Sequence, residues 1–269
     1  MQSQQRPLSL SGAPDGPLVR GSGEAQYDRP AVALLHGFTS GPLSLAEWAT
    51  ALAAAGADVE VPLLPGHGTR WHDLETVTAA DWRSAVRETV DGLLASHQQV
   101  FVAGLSMGGA LALDAAAHRR VAGVVLVNPA LRFASPVAPL AWLLKHAVRS
   151  VAPIANDIVR PGGDEMAYPR TSVAGVQQVG TVQSAARAGL ARIDAPVLAF
   201  HSTTDHVVPR SSMASLGRGL RPGLLSVRPL YNSYHVATLD WDAELIHRES
   251  VRFMAETTET ADAEDSSHV

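Results

Sequence analysis

The segment FVAGLSMGGALALDAA, residues 101–116, runs from a short apolar stretch into an alanine-rich one through the sequence Gly-Leu-Ser-Met-Gly. The apolar stretch is typical of a buried strand and the alanine-rich one of a helix. Gly104 and Gly108 stand two residues before and after Ser106, where a Cβ atom would collide with the backbone of a sharp turn. The segment therefore predicts a strand, a tight turn with a serine at its tip, and a helix.

Short apolar runs and longer alanine-rich runs alternate on both sides of this segment. The alternation is typical of a mostly parallel sheet with helices on both faces, an α/β fold. Strands are predicted at 31–36, 57–62, 99–104, 121–127, 196–201 and 224–230, and helices at 43–55, 79–95, 107–118, 210–219 and 241–256.

One long segment, residues 131–189, interrupts the alternation with prolines, glycines and loosely amphipathic pieces. An insertion of this length predicts a cap over the core rather than a linker. The core is then formed by residues 1–130 and 190–256. The start of the chain, up to about Arg29, predicts a short edge hairpin or arm, and the acidic tail, 257–269, is predicted to be disordered.

Composition excludes several classes of protein. The 269 residues include 21 Lys and Arg against 26 Asp and Glu, a formal net charge of −5, and no cationic run is present, so a nucleic-acid binder is not expected. The absence of cysteine excludes disulfides and thiolate chemistry. The N-terminal residues lack a signal-peptide pattern and no apolar run is long enough to span a bilayer, which predicts a cytoplasmic protein.

A serine hydroxyl becomes a nucleophile only beside a base that a third group orients. Asp205 and His235 each follow a late predicted strand, and the order Ser106, Asp205, His235 suits a site at the carboxyl ends of parallel strands. Asp194 precedes its strand, and Asp240 and Asp242 fit better as caps of the last helix.

His201 and His206 flank Asp205 and offer zinc as an alternative, but the segment lacks further ligands at suitable spacing. We therefore expect no metal and no other cofactor. An oxyanion needs two backbone amides, and the residue after the nucleophile, Met107, and the loop after the first predicted core strand, Phe38 in HGF, are the candidates.

Seven pieces in order between Ala31 and Asp240 resemble the bacterial monoacylglycerol lipase and carboxylesterase group of α/β-hydrolases: LLHGFTSGP, LPGHGT, HDLETVTAADW, GLSMGG, EMAY, DHVVP and NSYHVATLD. The resemblance implies an α/β-hydrolase fold with a small cap inserted after the sixth strand. It implies Ser106 as nucleophile, His235 as general base and acid, and Asp205 as the orienting acid, with the Phe38 and Met107 amides as the oxyanion hole.

The resemblance also implies that Glu165, in EMAY, faces the glycerol end of a monoacylglycerol, the alternative being a solvated carboxylate of the cap. The expected partner is a small ester or lipid. Trp142, Leu143 and Leu144 beside Lys145 and Arg149 are interpreted as the roof of the acyl pocket. The alternative is that this face makes transient contact with a membrane surface.

The same fold hosts other functions. An acyltransferase on the same triad would pass the acyl group to an alcohol instead of water. A carbon–carbon hydrolase would be inactive on simple esters, and a non-catalytic small-molecule receptor would not depend on Ser106. Dehalogenase and epoxide hydrolase chemistry is disfavoured, because it needs a carboxylate where this chain has Ser106.

Overall fold

The computed structural model describes residues 7–10 and 29–266 of the chain. Its strands are β1 (Leu8–Leu10), β2 (Ala31–Leu35), β3 (Asp58–Val61), β4 (Val100–Leu105), β5 (Gly123–Val127), β6 (Ser150–Val151), β7 (Thr171–Ser172), β8 (Val197–Ser202) and β9 (Leu225–Leu230). Its α-helices are α1 (Ala46–Ala54), α2 (Ala79–Leu94), α3 (Met107–Ala116), α4 (Ala141–Leu144), α5 (Val173–Gly189), α6 (Ser211–Gly219) and α7 (Ala243–Ser266).

The central sheet has seven strands in the order β1-β3-β2-β4-β5-β8-β9. All neighbours are parallel except β1, which pairs antiparallel with β3 at the edge. Strands β2, β4 and β5 are buried along their whole length, as their continuous apolar sequences predict. The six predicted strands and five predicted helices are confirmed to within three residues at each end, apart from the C-terminal end of α7.

Two apolar clusters sandwich the sheet. Trp82 of α2 and Leu111 of α3 belong to the cluster on one face, and Trp48 of α1 and Ile246 of α7 to the cluster on the other. Both tryptophans are fully buried. Because six parallel strands end at the same edge between these layers, the residues that follow them are brought together there.

Among the described residues, the insertion follows the fifth strand, β5, whereas the prediction counts six strands before it. It contains the two-residue antiparallel pair β6–β7 and the short helix α4, neither of which is predicted. It ends in the 17-residue helix α5, also unpredicted, whose Val182 and Ala186 are buried in the same cluster as α3. The division into core and cap stays a prediction, but α5 belongs by its contacts to the helical layer on the sheet.

Helix α7 continues to Ser266, through residues predicted to be disordered. The helix is anchored by buried Ile246 and Met254, and extending an existing helix costs far less than starting one. The hydroxyls of Thr257, Thr258 and Thr260 each donate to the carbonyl four residues earlier. The last three residues of the predicted tail, and most of the predicted N-terminal arm, lie outside the described residues; β1 is the part of that arm that is described.

Strand β9 forms the edge of the described sheet opposite β1 and carries Pro229. Among residues 7–10 and 29–266, no helix combines the length and apolar character needed to cross a membrane.

Candidate active site

Ser106 occupies the predicted turn between β4 and α3. Its backbone has φ 56° and ψ −116°, a conformation that is strained for a residue with a side chain. A Cβ atom at Gly104 would overlap the backbone of Gly108, and one at Gly108 would overlap the carbonyl of Leu35. The Ser106 amide donates to the Val127 carbonyl at 3.0 Å, which ties the turn to β5. The turn therefore holds a serine at the carboxyl edge of the sheet.

Asp205 and His235 lie in the loops after β8 and β9 and form a hydrogen-bonded pair. The His235 Nδ1 atom is 2.8 Å from Asp205 Oδ2, and the two side chains are only 7% and 2% exposed. An ionised carboxylate only accepts hydrogen bonds, so Nδ1 carries the proton and Nε2 is left as the basic nitrogen.

Asp205 Oδ1 accepts from the amides of Val207 and Val208, both at 2.8 Å. Burial alone would raise the pKa of Asp205, but the hydrogen bond and charge of His235, together with these two amides, outweigh it and hold the pKa below its ordinary value. Asp205 is thus kept ionised beside the imidazole.

Ser106 and His235 line one cavity of about 250 Å³, together with Phe38, Met107 and Glu165. Asp205 does not line it and lies behind His235. The wall is mostly apolar and includes Phe133, Val176, Val179, Val207 and Val208. A cavity of this kind suits an acyl chain beside a nucleophile and a base.

The two predicted oxyanion residues, Phe38 and Met107, line the same cavity as Ser106. Met107 is the first residue of α3, where backbone amides have no helical partner. Phe38 follows Gly37, whose Cβ position would be 3.7 Å from the Ser106 Cβ atom. Both residues line the cavity, which is compatible with the predicted pair of amides.

His36 fixes the loop that carries Phe38. Its ring is buried, Nδ1 donates to the Gly37 carbonyl at 2.9 Å, and Nε2 accepts from the Leu64 amide at 3.1 Å. Burial lowers the pKa of His36 to about 4, against a smaller opposite effect of the bond to Gly37. The ring is therefore neutral at pH 7 and has one donor and one acceptor, as these two contacts require.

Glu165 is buried at the cavity wall rather than solvated on the cap. Its Oε1 accepts from the Asn156 amide at 2.6 Å, while its own amide donates to Asn156 Oδ1 at 3.0 Å. Burial raises the pKa of Glu165, and the bond from Asn156 offsets this in part. In the described part of the chain, no hydrogen bond to Oε2 is formed, so that oxygen is available to a ligand.

The interpretation of Trp142 and Leu143 as a roof over the acyl pocket is wrong. The two side chains are 57% and 55% exposed, and neither they nor Leu144 line the cavity; the buried residue of the one-turn helix α4 is Ala141. Arg149 points elsewhere, to a bidentate contact with Glu75.

The prediction that Asp240 and Asp242 cap the last helix, α7, is also wrong. The Asp240 carboxylate accepts from the amides of Val159, Arg160, Tyr234 and Trp241, and that of Asp242 binds Asn232. Both therefore organise loops upstream of α7. His206 contacts Asp157, and no group of three or more potential ligand side chains in residues 7–10 and 29–266 is arranged to hold a metal ion.

Two residues that hold the site together are missed by the sequence reasoning, the buried Asn128 and the partly exposed Asp157. Asn128, with φ 45°, follows β5 and donates from Nδ2 to the His235 carbonyl at 2.8 Å and to Ser202 Oγ at 2.9 Å. Its position directly after a strand is a signal that could have found it. Asp157, in the cap, binds the backbone of His206 and His235 and has no such signal.

The chain is similar to known hydrolases. A family model described as the alpha/beta hydrolase family matches residues 32–268. A thermostable monoacylglycerol lipase of Bacillus sp. (strain H-257) is 38% identical over 225 residues, which cover 83% of this chain and 90% of the relative. A carboxylesterase of Bacillus subtilis (strain 168) is 22% identical over 226 residues, 83% of this chain and 92% of the relative.

Among solved structures, one from work on the metagenome-derived lipolytic enzymes LipS and LipT superposes with a TM-score of 0.85 at 34% identity. It covers 94% of this chain and 98% of its own. The monoacylglycerol lipase of Paleococcus ferrophilus shares the fold, with a TM-score of 0.69 at 22% identity over 87% of this chain and 98% of its own. With the family model matching most of its length, the chain belongs to the alpha/beta hydrolase family.

Proposed function

We propose that the protein is a serine hydrolase that cleaves carboxylic esters through an acyl-enzyme. Ser106 Oγ attacks the ester carbonyl while His235 Nε2 takes its proton, and the amides of Phe38 and Met107 receive the oxyanion. His235 then gives the proton to the leaving alcohol. Water, deprotonated by His235, attacks the acyl-enzyme and releases the acid and Ser106.

One observation carries the proposal: a serine in a strained turn shares one apolar cavity with His235, whose imidazole is hydrogen-bonded to the buried carboxylate of Asp205. A strained backbone is maintained at a site where it serves a purpose. A neutral imidazole whose Nδ1 proton is bound to a carboxylate presents its basic nitrogen, as a general base must.

We propose monoacylglycerols as the substrate class. Support comes from the 38% identity to the Bacillus monoacylglycerol lipase and from Glu165, which lines the cavity and, among the described residues, accepts a hydrogen bond on Oε1 only. A carboxylate oxygen in a low-dielectric wall binds hydroxyl groups strongly, and a glycerol ester brings two hydroxyls to the leaving-group side.

The test compares the wild type with Ser106→Ala on monoacylglycerols of graded acyl length and on p-nitrophenyl esters. We expect hydrolysis by the wild type, with loss of activity and of covalent labelling by a fluorophosphonate in Ser106→Ala. If medium-chain monoacylglycerols are hydrolysed no faster than alkyl esters, the assignment becomes carboxylesterase instead of monoacylglycerol lipase. Transfer of the acyl group to added alcohol in preference to water would indicate an acyltransferase, and ligand binding without turnover a receptor.

Glu165→Gln tests the alcohol side separately. The amide is as large as the carboxylate but a weaker acceptor, so kcat/KM for a monoacylglycerol should fall about 10-fold, while that for a p-nitrophenyl ester stays within about 2-fold. Asp164→Asn, an exposed neighbour whose carboxylate accepts from the Met166 amide, is the matched control. An equal fall on both substrates would contradict the assignment of Glu165 to the alcohol.

We also propose that the outer face of the cap contacts lipid surfaces. Val137, Leu140, Trp142 and Leu143 are each about half exposed or more, and Lys145 lies beside them. Apolar side chains next to a cation suit an anionic bilayer surface. In a flotation assay with anionic liposomes, the wild type should move with the liposomes, and the double variant with Trp142→Ser and Leu143→Ser should stay in solution. Failure of the wild type to bind the liposomes would reject the contact.

A further inference from the structure

Asp157 lies in the cap, yet its carboxylate binds both loops that carry the His235–Asp205 pair. Its Oδ2 accepts from the amide of His206 and from the amide of His235, each at 3.1 Å. Its Oδ1 is 2.7 Å from His206 Nδ1. Since His206 follows Asp205 directly, this one carboxylate connects the loop of the acid to the loop of the base, and His235 lies 78 residues beyond Asp157 in the chain.

The same segment is held to the His235 loop by two more sets of contacts. The Asp157 carbonyl accepts from the Val236 amide at 3.1 Å. In the opposite direction, Asp240 of the His235 loop accepts from the cap amides of Val159 and Arg160 at 2.9 and 3.0 Å. Each aspartate therefore binds backbone amides of the segment that carries the other, so the cap segment and the loop of His235 are connected in both directions.

A carboxylate is well suited to this place. The Asp157 side chain is 15% exposed, and its three partners are two backbone amides and an imidazole nitrogen, all groups that can donate to a carboxylate. Its contacts to His235 are made to the backbone and leave Nε2 untouched. Asp157 thus acts on the position of the imidazole rather than on its reacting atom.

Asp157 is also adjacent to the proposed alcohol site. Its neighbour Asn156 exchanges two hydrogen bonds with Glu165 and has φ 54°. A group bound at Glu165 is therefore one residue away from the contacts that hold the base.

We propose that Asp157 is a positioning residue that fixes the loop of Asp205 relative to the loop of His235. The position of the cap on the core and the alignment of the His235–Asp205 pair then depend on each other. This inference rests on the proposed ester hydrolysis. It adds a residue of the cap to the machinery that prepares His235 for proton transfer.

The kinetic test uses Asp157→Ala and Asp157→Asn with p-nitrophenyl butyrate. Asp157→Ala should lower kcat about 10- to 100-fold with KM within about 3-fold, because displacement of the base affects the chemical step. In Asp157→Asn the amide oxygen can still accept from both backbone amides, and the NH2 group can donate to His206 Nδ1 in the tautomer that carries its proton on Nε2. This conservative variant should keep kcat within about 3-fold of the wild type.

Asp164→Ala is the matched control, since it removes a carboxylate from the same cap at an exposed position. Melting temperatures separate loss of fold from loss of alignment. The downfield proton resonance of the His235–Asp205 hydrogen bond should persist in Asp157→Asn and broaden or disappear in Asp157→Ala.

Three results would overturn the inference: kcat within 2-fold of the wild type in Asp157→Ala, a change confined to KM, or equal impairment of folded Asp157→Asn and Asp157→Ala. If Asp157→Ala does not fold, amide hydrogen exchange of the wild type tests the inference instead. The amides of His206 and His235 should be protected, and exchange as fast as in exposed loops would reject their bonds to Asp157. Wild-type inactivity on all esters would instead reject the proposed function, a distinct outcome.

Discussion

The side-chain amide of Asn128 lies 2.8 Å from the carbonyl oxygen of His235. Asn128 follows β5 in the middle of the sheet, whereas His235 is on a long loop after the edge strand β9. The same side chain accepts from the Ser202 amide at 2.8 Å, so one buried residue connects β5, the end of β8 and the His235 loop. The base is therefore held from the sheet side as well as from the cap.

We expect Asn128→Ala to lower the free energy of unfolding by about 2–4 kcal/mol, because it leaves the Ser202 amide and the His235 carbonyl without partners in a buried place. The kcat should fall about 10-fold as the His235 loop loosens. Urea unfolding and ester kinetics measure the two effects. Asn232→Ala, on the exposed part of the same loop, should cost less than about 1 kcal/mol; equal losses in the two variants would contradict the role of Asn128.

Two glycine-to-alanine changes should have opposite signs. Gly108→Ala places a methyl group on the Leu35 carbonyl, which is backbone and cannot move aside, and should destabilise the protein by more than about 3 kcal/mol. Gly92 lies inside α2 with open space around its Cβ position, so Gly92→Ala should stabilise it by about 0.5–1 kcal/mol. A tolerated Gly108→Ala, judged by soluble yield and melting temperature, would mean that α3 is not packed against β2 as described.

Asp205→Asn should lower kcat about 1,000- to 10,000-fold with little loss of stability. The amides of Val207 and Val208 select the amide oxygen for the Oδ1 position, which turns the NH2 group towards His235 Nδ1. Nδ1 must then accept, and the imidazole proton moves to Nε2, where a base is needed. Asp194→Asn, at a surface pair with Arg221, should leave kcat unchanged. Activity of Asp205→Asn near that of the wild type would point to another orienting acid.

Glu165→Gln should stabilise the fold at pH 8, and the gain should shrink as the pH falls. Burial raises the pKa of Glu165, so in this range the folded state binds more protons than the unfolded state, and stability decreases as the pH rises. The stability that the wild type loses by ionising the buried Glu165 carboxyl is lost in full above the pKa of this group in the folded state. It is not lost below the pKa of the group in the unfolded state, about 4.3. Denaturant unfolding of the wild type and of Glu165→Gln from pH 4 to 8 measures this difference in the free energy of unfolding. The exposed Glu88→Gln serves as control, and a gain that grows towards acid pH would contradict burial of the ionised group.

The parallel sheet and the serine turn are predictable because their signals are local. Each core strand is a nearly continuous apolar run, and the glycines around Ser106 are required by contacts within a few residues and the adjacent strand. Asp205 and His235 follow from strand order alone. Helix α5 is missed because its buried positions include Gly175 and Gly189 and polar Gln183, which give a weak amphipathic pattern.

The contacts of the cap could not be predicted from the sequence. Asp157 and Asp240 contact backbone amides about 80 residues away in the chain, and a backbone amide has no residue type to recognise in a sequence. The exposure of Trp142 and Leu143 likewise depends on how a one-turn helix is oriented, which their own sequence does not specify.

Pro229 in β9 affects how the molecule meets its neighbours. The Leu224 and Leu230 carbonyls face β8, where they accept from Val197 and Thr203, so by the alternation of a parallel ladder the backbone of residue 229 faces outward. A proline there offers no N–H to an approaching strand from a second molecule. This flank of the sheet is thereby made a poor template for intermolecular β-pairing, which favours dispersal over aggregation at high concentration.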